Sequence, residues 1–186
     1  MTLDALRAAI PDFAKDIRLN LASVLSPEAS AGLNAAQIAV VALAAGYATA
    51  QHELIAALES HFEASAGEQG RSAAKSAAAI MAMNNVYYRF THLVSDKDYQ
   101  TMPARLRMQV IANPGVPKVD FELACLGVSA MNGCGSCIEA HARQATGAGL
   151  GKEAVQSSVR IAAVVNAAAL ALRLAAAPAG AAAAAV

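Results

Sequence analysis

Apolar residues recur every three or four positions along most of the chain, which is the spacing of amphipathic α-helices. The first run comprises Leu3, Leu6, Ile10 and Phe13, and a second follows over residues 17–24. No segment alternates apolar and polar residues in the manner of a half-buried strand. The pattern therefore predicts an all-α fold.

The first long apolar helix has a recognisable start. Asn34 and Gln37 have the spacing of a capping box, in which each side chain bonds the backbone of the other residue. We expect this helix to bend near Gly46 and to continue to about Phe62. Residues 38–50 carry no charge, but this stretch is shorter than the roughly 20 apolar residues that cross a bilayer. The sequence therefore predicts a buried core helix and no membrane span.

Glycine and proline mark the boundaries of the later helices. A break at residues 67–70 precedes a predicted helix over 72–93. Pro103 suits the first turn of a short helix, and Pro117 suits the start of the next. Asn-Gly at residues 132–133 is typical of a helix C-cap, so another helix is expected to begin directly after it.

A single helical domain is predicted over residues 1–174, followed by an Ala-rich flexible tail over residues 175–186. A degenerate internal repeat, 30–65 and 115–150, is also suggested by apolar positions that fall roughly in phase. In that alignment Gln37 corresponds to Glu122. Two similar helical halves would then form the domain, with the chemistry confined to the second half.

Composition supports close-packed helices and narrows the function. Hydrophobic residues make up 56% of the sequence, but many are alanine, whereas aromatic residues make up 4% and Trp is absent. Alanine is the strongest helix former. The charges balance at 14 basic and 14 acidic residues, so the sequence lacks the basic footprint of a nucleic-acid-binding protein. The N-terminal residues show no signal-peptide pattern, and we expect a cytoplasmic protein.

The residues with the clearest chemistry lie around a CxxC motif. Cys134 and Cys137 are three residues apart at a predicted helix start, and His141 lies one turn further on the same face. A helix N-terminus stabilises a thiolate. Glu122, on the preceding helix, is a candidate to orient His141, which gives a nucleophile, a base and an acid that orients the base. Cys125 lies among apolar residues and is expected to be a buried hydrophobe.

Simpler interpretations of these residues remain open. A CxxC pair can bind zinc, but structural zinc takes four ligands, and Cys134, Cys137 and His141 supply three. A thioredoxin-like site requires a βαβ context, which the pattern does not show. Glu122 and His141 taken singly are also compatible with a helix-start acid and a surface histidine. Only the combination with CxxC favours a redox site.

Residues 81–144 closely resemble the alkylhydroperoxidase D family, and the rest of the chain resembles it more loosely. The glutamate, CxxC and histidine at this spacing carry the resemblance: Glu122, Cys134, Cys137 and His141. The resemblance implies an all-α fold of two similar halves, a homotrimer and a thiol peroxidase of bacterial cytoplasm. By motif position, Cys137 corresponds to the peroxidatic cysteine, Cys134 to the resolving cysteine, and His141 with Glu122 to the proton relay.

The resemblance also implies substrates and partners. Alkyl hydroperoxides are the expected oxidants, and the partner peroxiredoxin, alkyl hydroperoxide reductase C, is expected to be regenerated. No bound cofactor is expected. Electrons are expected from dihydrolipoamide on a lipoylated acyltransferase, or from another dithiol donor.

Ser136 departs from the family pattern, because some members carry a second histidine between the two cysteines. A serine hydroxyl forms hydrogen bonds but is not a base near neutral pH. Three alternative functions remain: a general protein-disulfide reductase, a zinc-stabilised helical binding module, and a decarboxylase of the wider superfamily. The last needs no CxxC pair, so the motif counts against it.

Overall fold

The computed structural model of the protein describes residues 1–176, and this part of the chain is helical with no β-strand. A 3₁₀ turn at Asp12–Ala14 links the first two α-helices. The α-helices are α1 (Leu3–Ala9), α2 (Lys15–Val24), α3 (Ala35–Thr49), α4 (His52–His61), α5 (Glu63–Leu93), α6 (Asp98–Thr101), α7 (Gln109–Ala112), α8 (Lys118–Met131), α9 (Gly135–Gly147) and α10 (Lys152–Ala176). The all-α prediction is confirmed. Of the predicted tail, the first two residues extend α10, and residues 177–186 lie outside the described part.

Helix α3 forms the centre of the core. It starts with the predicted capping box: the Gln37 backbone N–H donates to Asn34 Oδ1 at 2.9 Å, and the Asn34 N–H donates to Gln37 Oε1 at 3.0 Å. Residues 37–46 are buried without interruption, because α5, α8 and α10 pack around this helix. A helix that is apolar on all sides is expected in such a position.

The predicted bend near Gly46 was wrong, because the break lies four residues later. Ala50 adopts the left-handed conformation with φ 54°, which ends α3, and α4 begins at His52. Gly46 is an ordinary residue of α3, and its missing side chain makes room for Leu58 of α4. A Cβ atom at Gly46 would lie 2.7 Å from Leu58 Cδ1. The glycine therefore serves close helix packing and not a bend.

Two other predicted boundaries also differ from the structure. The break predicted at residues 67–70 is confined to Gly67 (φ 58°, ψ −171°), which kinks α5. Gly70 is a buried helical residue of α5. Pro103 does not begin a helix: α6 ends before it, and the chain stays irregular until α7, with Arg105 in the left-handed region at φ 52°. These short polar segments lack the apolar periodicity from which helix boundaries are predicted.

Two sets of three helices follow one another along the chain, and the helices of the two sets start at corresponding positions. The sets are α3, α4 and the part of α5 after Gly67 in the first half, and α8, α9 and α10 in the second half. Gln37 Nε2 donates to Asp120 Oδ1 at 2.9 Å, and these residues, at equivalent helix positions, are 83 apart in sequence. The helix starts place Gln37 opposite Asp120, whereas the register predicted from the sequence places it opposite Glu122. A common origin of the halves stays a prediction.

Alignment of the helix starts shows which residues of the first half correspond to the chemical groups of the second half. The positions equivalent to Glu122, Cys134, Cys137 and His141 are occupied by Ala39, Gln51, Leu54 and Leu58. The alanine and the two leucines are fully buried. The first half therefore packs apolar core at the positions where the second half places acid, thiol and imidazole.

Within residues 1–176, α10 is the one helix long and apolar enough to cross a bilayer. One face of it is buried, including Ile161, Val165 and Leu172, and it packs against α2, α3 and α8. That arrangement is typical of a core helix in a globular domain, and the described residues give no indication of a membrane.

We predict that Asn34→Ala lowers the free energy of unfolding by about 1 kcal/mol, because the first turn of the central helix loses its cap. For a chain of this size the melting temperature falls by about 2–4 °C. Asn34→Ser, which keeps a capping oxygen, serves as the control. Thermal unfolding checks both variants, and equal melting of Asn34→Ala and wild type would contradict the role of the cap.

Candidate active site

The turn between α8 and α9 is fixed by hydrogen bonds to its neighbours. Gly133 takes the left-handed conformation at φ 65°, as the predicted C-cap requires. Asn132 Nδ2 donates to Asn85 Oδ1 at 2.9 Å, and Asn85 Nδ2 donates to Ser129 Oγ at 3.0 Å. Arg89 Nη1 donates to the Asn132 carbonyl at 2.7 Å. Helix α5 therefore holds the turn from which α9 starts.

The two cysteines of the motif lie in the first turn of α9. Cys134 is the N-cap residue and Cys137 the third helical residue. Their sulfur atoms are joined as a disulfide across a Cα–Cα distance of 5.3 Å, which is within the usual range for disulfides. Cys134 is fully buried, and Cys137 is 6% exposed. Unpaired backbone N–H groups and the helix dipole favour negative charge at this end of the helix, which opposes the cost of burying a thiolate there.

Glu122 and His141 are brought together from the two helices of this hairpin. His141 Nδ1 lies 2.7 Å from Glu122 Oε2, and the residues are 9% and 3% exposed. The sequence did not establish this contact. A carboxylate only accepts hydrogen bonds, so His141 Nδ1 carries the hydrogen and donates it in a hydrogen bond to Glu122. In the neutral ring, Nε2 is then left as a hydrogen-bond acceptor. The pair can take up one proton at Nε2.

A small pocket of about 230 Å³ opens beside this pair and the disulfide. It is lined mainly by apolar groups, and its lining residues are Asn84, Tyr88, Met108, Ile111, Ser136, Cys137, Ala140 and His141. No role for Asn84, Met108 or Ile111 was apparent from the sequence. Asn84 carried one available signal, because it begins an Asn-Asn pair inside the otherwise largely apolar run 77–88.

Ser136, which departs from the family pattern, contacts one of the cysteines. Its Oγ lies 3.5 Å from Cys134 Sγ and 3.4 Å from the Tyr88 carbonyl, to which it donates. The single hydroxyl proton of the serine is donated to the backbone, and the hydroxyl is not a base near neutral pH. Glu122 and His141 therefore stay the predicted acid–base pair of this site.

Cys125 is not part of the disulfide and is expected to be unreactive. It is a free thiol and fully buried in α8. Burial raises the pKa of Cys125, and the nearby charge of Glu122 raises it further. The neutral thiol is therefore strongly favoured, which makes it a poor nucleophile.

The zinc interpretation finds no support in the described residues. Within residues 1–176, no group of three or more His, Cys, Asp or Glu side chains is arranged to hold a metal ion. The two sulfur atoms that a CxxC zinc site would use are joined to each other.

Comparison with known families first gives a broad class. The model of the carboxymuconolactone decarboxylase family matches residues 97–184. That segment contains α8, α9 and the whole of the second-half motif.

Curated relatives narrow this class. A protein of Rhodopseudomonas palustris (strain BisB18) named alkyl hydroperoxide reductase AhpD is 52% identical over 95% of this chain and 96% of its own length. Proteins of the same name from Coxiella burnetii (strain Dugway 5J108-111) and Methylocella silvestris are 52% and 49% identical, over 88% and 96% of this chain and 93% and 99% of their own lengths. The chain belongs to the alkyl hydroperoxide reductase AhpD family. It is accordingly an oxidoreductase, as the resemblance of its motif predicted.

We predict that mild oxidation of the reduced protein closes only the Cys134–Cys137 disulfide. The two sulfurs share one helix turn, whereas Cys125 is buried and protonated. Peptide mapping after alkylation checks this, with Cys125 recovered as an alkylated thiol only after denaturation. A mapped disulfide that contains Cys125 would contradict the assignment.

Proposed function

We propose that this protein is an antioxidant thiol peroxidase that reduces alkyl hydroperoxides through a dithiol–disulfide cycle of Cys134 and Cys137. One observation carries the proposal: the cysteine pair at the start of α9 lies beside a buried Glu122–His141 hydrogen bond, and Cys137 and His141 line the same apolar pocket. A pocket of this kind suits an organic hydroperoxide better than a charged substrate.

The first step is proton removal from Cys137. His141 Nε2 accepts this proton because Nδ1 is held by Glu122, and the resulting imidazolium is stabilised by the carboxylate. The N-terminus of α9 stabilises the thiolate that remains. The pair is shielded from solvent, so its electrostatic interaction is stronger than on the surface.

The second step transfers two electrons from sulfur to the hydroperoxide. The Cys137 thiolate attacks the terminal oxygen, so an S–O bond forms as the O–O bond breaks. Cys137 becomes a sulfenic acid. The alkyl-bearing oxygen leaves as an alkoxide and takes the proton held on His141, which gives the alcohol and restores the neutral imidazole.

The third step closes the disulfide. The Cys134 thiol attacks the sulfenic sulfur, the S–O bond breaks, and water leaves with the thiol proton. A Cα–Cα distance of 5.3 Å permits this within one helix turn. The product is the disulfide form that the structure contains.

The last step restores the two thiols with an external dithiol. Such a donor attacks one sulfur to give a mixed disulfide, and its second thiol completes the exchange. Cys134 is fully buried in the disulfide form, so attack on its sulfur requires local opening of the first turn of α9. Dihydrolipoamide on a lipoylated acyltransferase is the donor we propose, and alkyl hydroperoxide reductase C is the proposed peroxiredoxin partner. We also propose that the protein is a homotrimer in the bacterial cytoplasm.

We predict different outcomes for the two cysteines of the motif. Cys137→Ser abolishes reduction of cumene hydroperoxide, because no peroxidatic sulfur remains. Cys134→Ser still forms a sulfenic acid but does not resolve it, so it reacts once and then stops. A sulfenic-acid probe with mass spectrometry locates the oxidised residue, and the Cys125→Ser variant is the matched control with wild-type behaviour. Labelling of Cys134 in the Cys137→Ser variant would reverse the assigned roles.

We predict that Glu122→Gln and His141→Gln each slow oxidation by peroxide about 10²–10⁴-fold, the usual contribution of a general base. The double variant is expected to be little slower than the poorer single variant, because the two groups act as one unit. In both variants the thiolate is expected to form at higher pH. Stopped-flow alkylation across a pH series, with thermal melts, measures these effects. Lower melting temperatures with unchanged thiolate titration would leave the pair with a structural role only.

A further inference from the structure

Asn84 is a buried polar residue of the pocket that the proposed cycle does not use. It lies on α5, one turn before Tyr88, and is 4% exposed. Its backbone carbonyl lies 3.9 Å from Cys137 Sγ, and the residue lines the pocket together with Cys137 and His141. Asn84 therefore borders the reacting sulfur directly.

The side chain of Asn84 has an unmet hydrogen-bonding requirement. Its Oδ1 is sealed from solvent and has no hydrogen-bond partner among the described residues. An unpaired polar atom in the interior is costly and rare, and it calls for an explanation. The neighbouring Asn85 shows the ordinary structural solution, because its Oδ1 and Nδ2 are bonded to Asn132 and Ser129 at 2.9 and 3.0 Å.

We infer that the Asn84 carboxamide binds the hydroperoxide and holds its peroxide bond against Cys137. This inference rests on the proposed function. A hydroperoxide group matches the carboxamide, since it has one O–H donor and two acceptor oxygens, and the amide has one acceptor oxygen and two N–H donors. Rotation about the last torsion of the Asn side chain is soft, so either end of the amide can turn to the ligand.

The two contacts act at different stages of the reaction. Oδ1 accepts from the terminal O–H, which keeps that oxygen near Sγ before attack. An N–H donates to the alkyl-bearing oxygen, where negative charge develops as the O–O bond breaks. A donor placed at developing charge accelerates the step. The proton and electrons move as described above, so Asn84 binds substrate and transfers nothing itself.

The specific test is Asn84→Leu, which keeps the branched shape and the number of side-chain heavy atoms and removes both hydrogen-bonding groups. Wild type and variant are first reduced to the dithiol form. One sample of each is oxidised in a single turnover by cumene hydroperoxide, and a parallel sample is alkylated with iodoacetamide. Alkylation needs no hydrogen bond to a peroxide. We expect peroxide oxidation to slow by at least about tenfold, toward the ~10²-fold effect of losing a donor at developing charge. Alkylation of Cys137 is expected to change little, so the ratio of the two rates falls.

Thermal melts distinguish a role of Asn84 in substrate binding from a role in the stability of the fold. Asn84→Leu is expected to melt at or above the wild-type temperature, because an unpaired buried polar atom is removed. The matched control Asn85→Leu is expected to melt lower, because it leaves Asn132 and Ser129 without their partner. Asn84→Ser, which supplies a hydroxyl in place of the carboxamide, is expected to react with peroxide faster than Asn84→Leu and slower than wild type.

The outcomes distinguish this inference from the proposed function. An unchanged ratio of peroxide to alkylation rate in Asn84→Leu, with a reactive wild type, overturns the role of Asn84 and leaves the peroxidase proposal intact. A lower melting temperature with an unchanged ratio makes Asn84 a structural residue. A wild type that does not react with cumene hydroperoxide overturns both.

Discussion

The hydrogen bond between His141 and Glu122 is the constraint on which the site depends. It joins α8 to α9 at 2.7 Å inside the protein, where either group alone would be expensive to bury as a charge. Bonding at Nδ1 orients the ring and leaves Nε2 as the free acceptor, and His141 lines the same pocket as Cys137. The tight turn at Gly133 and the Asn85 network set the hairpin geometry, so the turn, the pair and the cysteines depend on one another.

The two halves show how one helical scaffold can be either core or site. Ala39, Leu54 and Leu58 fill buried positions in the first half whose counterparts in the second half are Glu122, Cys137 and His141. Apolar packing stabilises the first half without polar requirements, whereas the second half must satisfy a buried acid and imidazole. Glu122 and His141 pair with each other, whereas Asn84 of α5 lines the pocket and its Oδ1 has no hydrogen-bond partner among the described residues.

The sequence predicted elements where a local signal existed. Periodicity gave the helices, the Asn34 capping box gave the start of α3, and the CxxC after Asn-Gly gave the helix start that carries the cysteines. It failed at the end of α3, because a left-handed Ala50 has no signature that a glycine or proline would give. It also failed for Asn84, since a missing hydrogen bond is a property of packing. The Glu122–His141 contact joins residues on different helices, so spacing alone did not establish it.

In the proposed cycle, one hydroperoxide is reduced at the expense of one pair of thiols. The most direct measurement adds one equivalent of cumene hydroperoxide to fully reduced protein and counts thiols and the alcohol product together. We expect one alcohol formed for two thiols lost, with the loss confined to Cys134 and Cys137 and with Cys125 intact. Loss of thiols without a matching alcohol, or alcohol formed while Cys134 and Cys137 stay reduced, would contradict it.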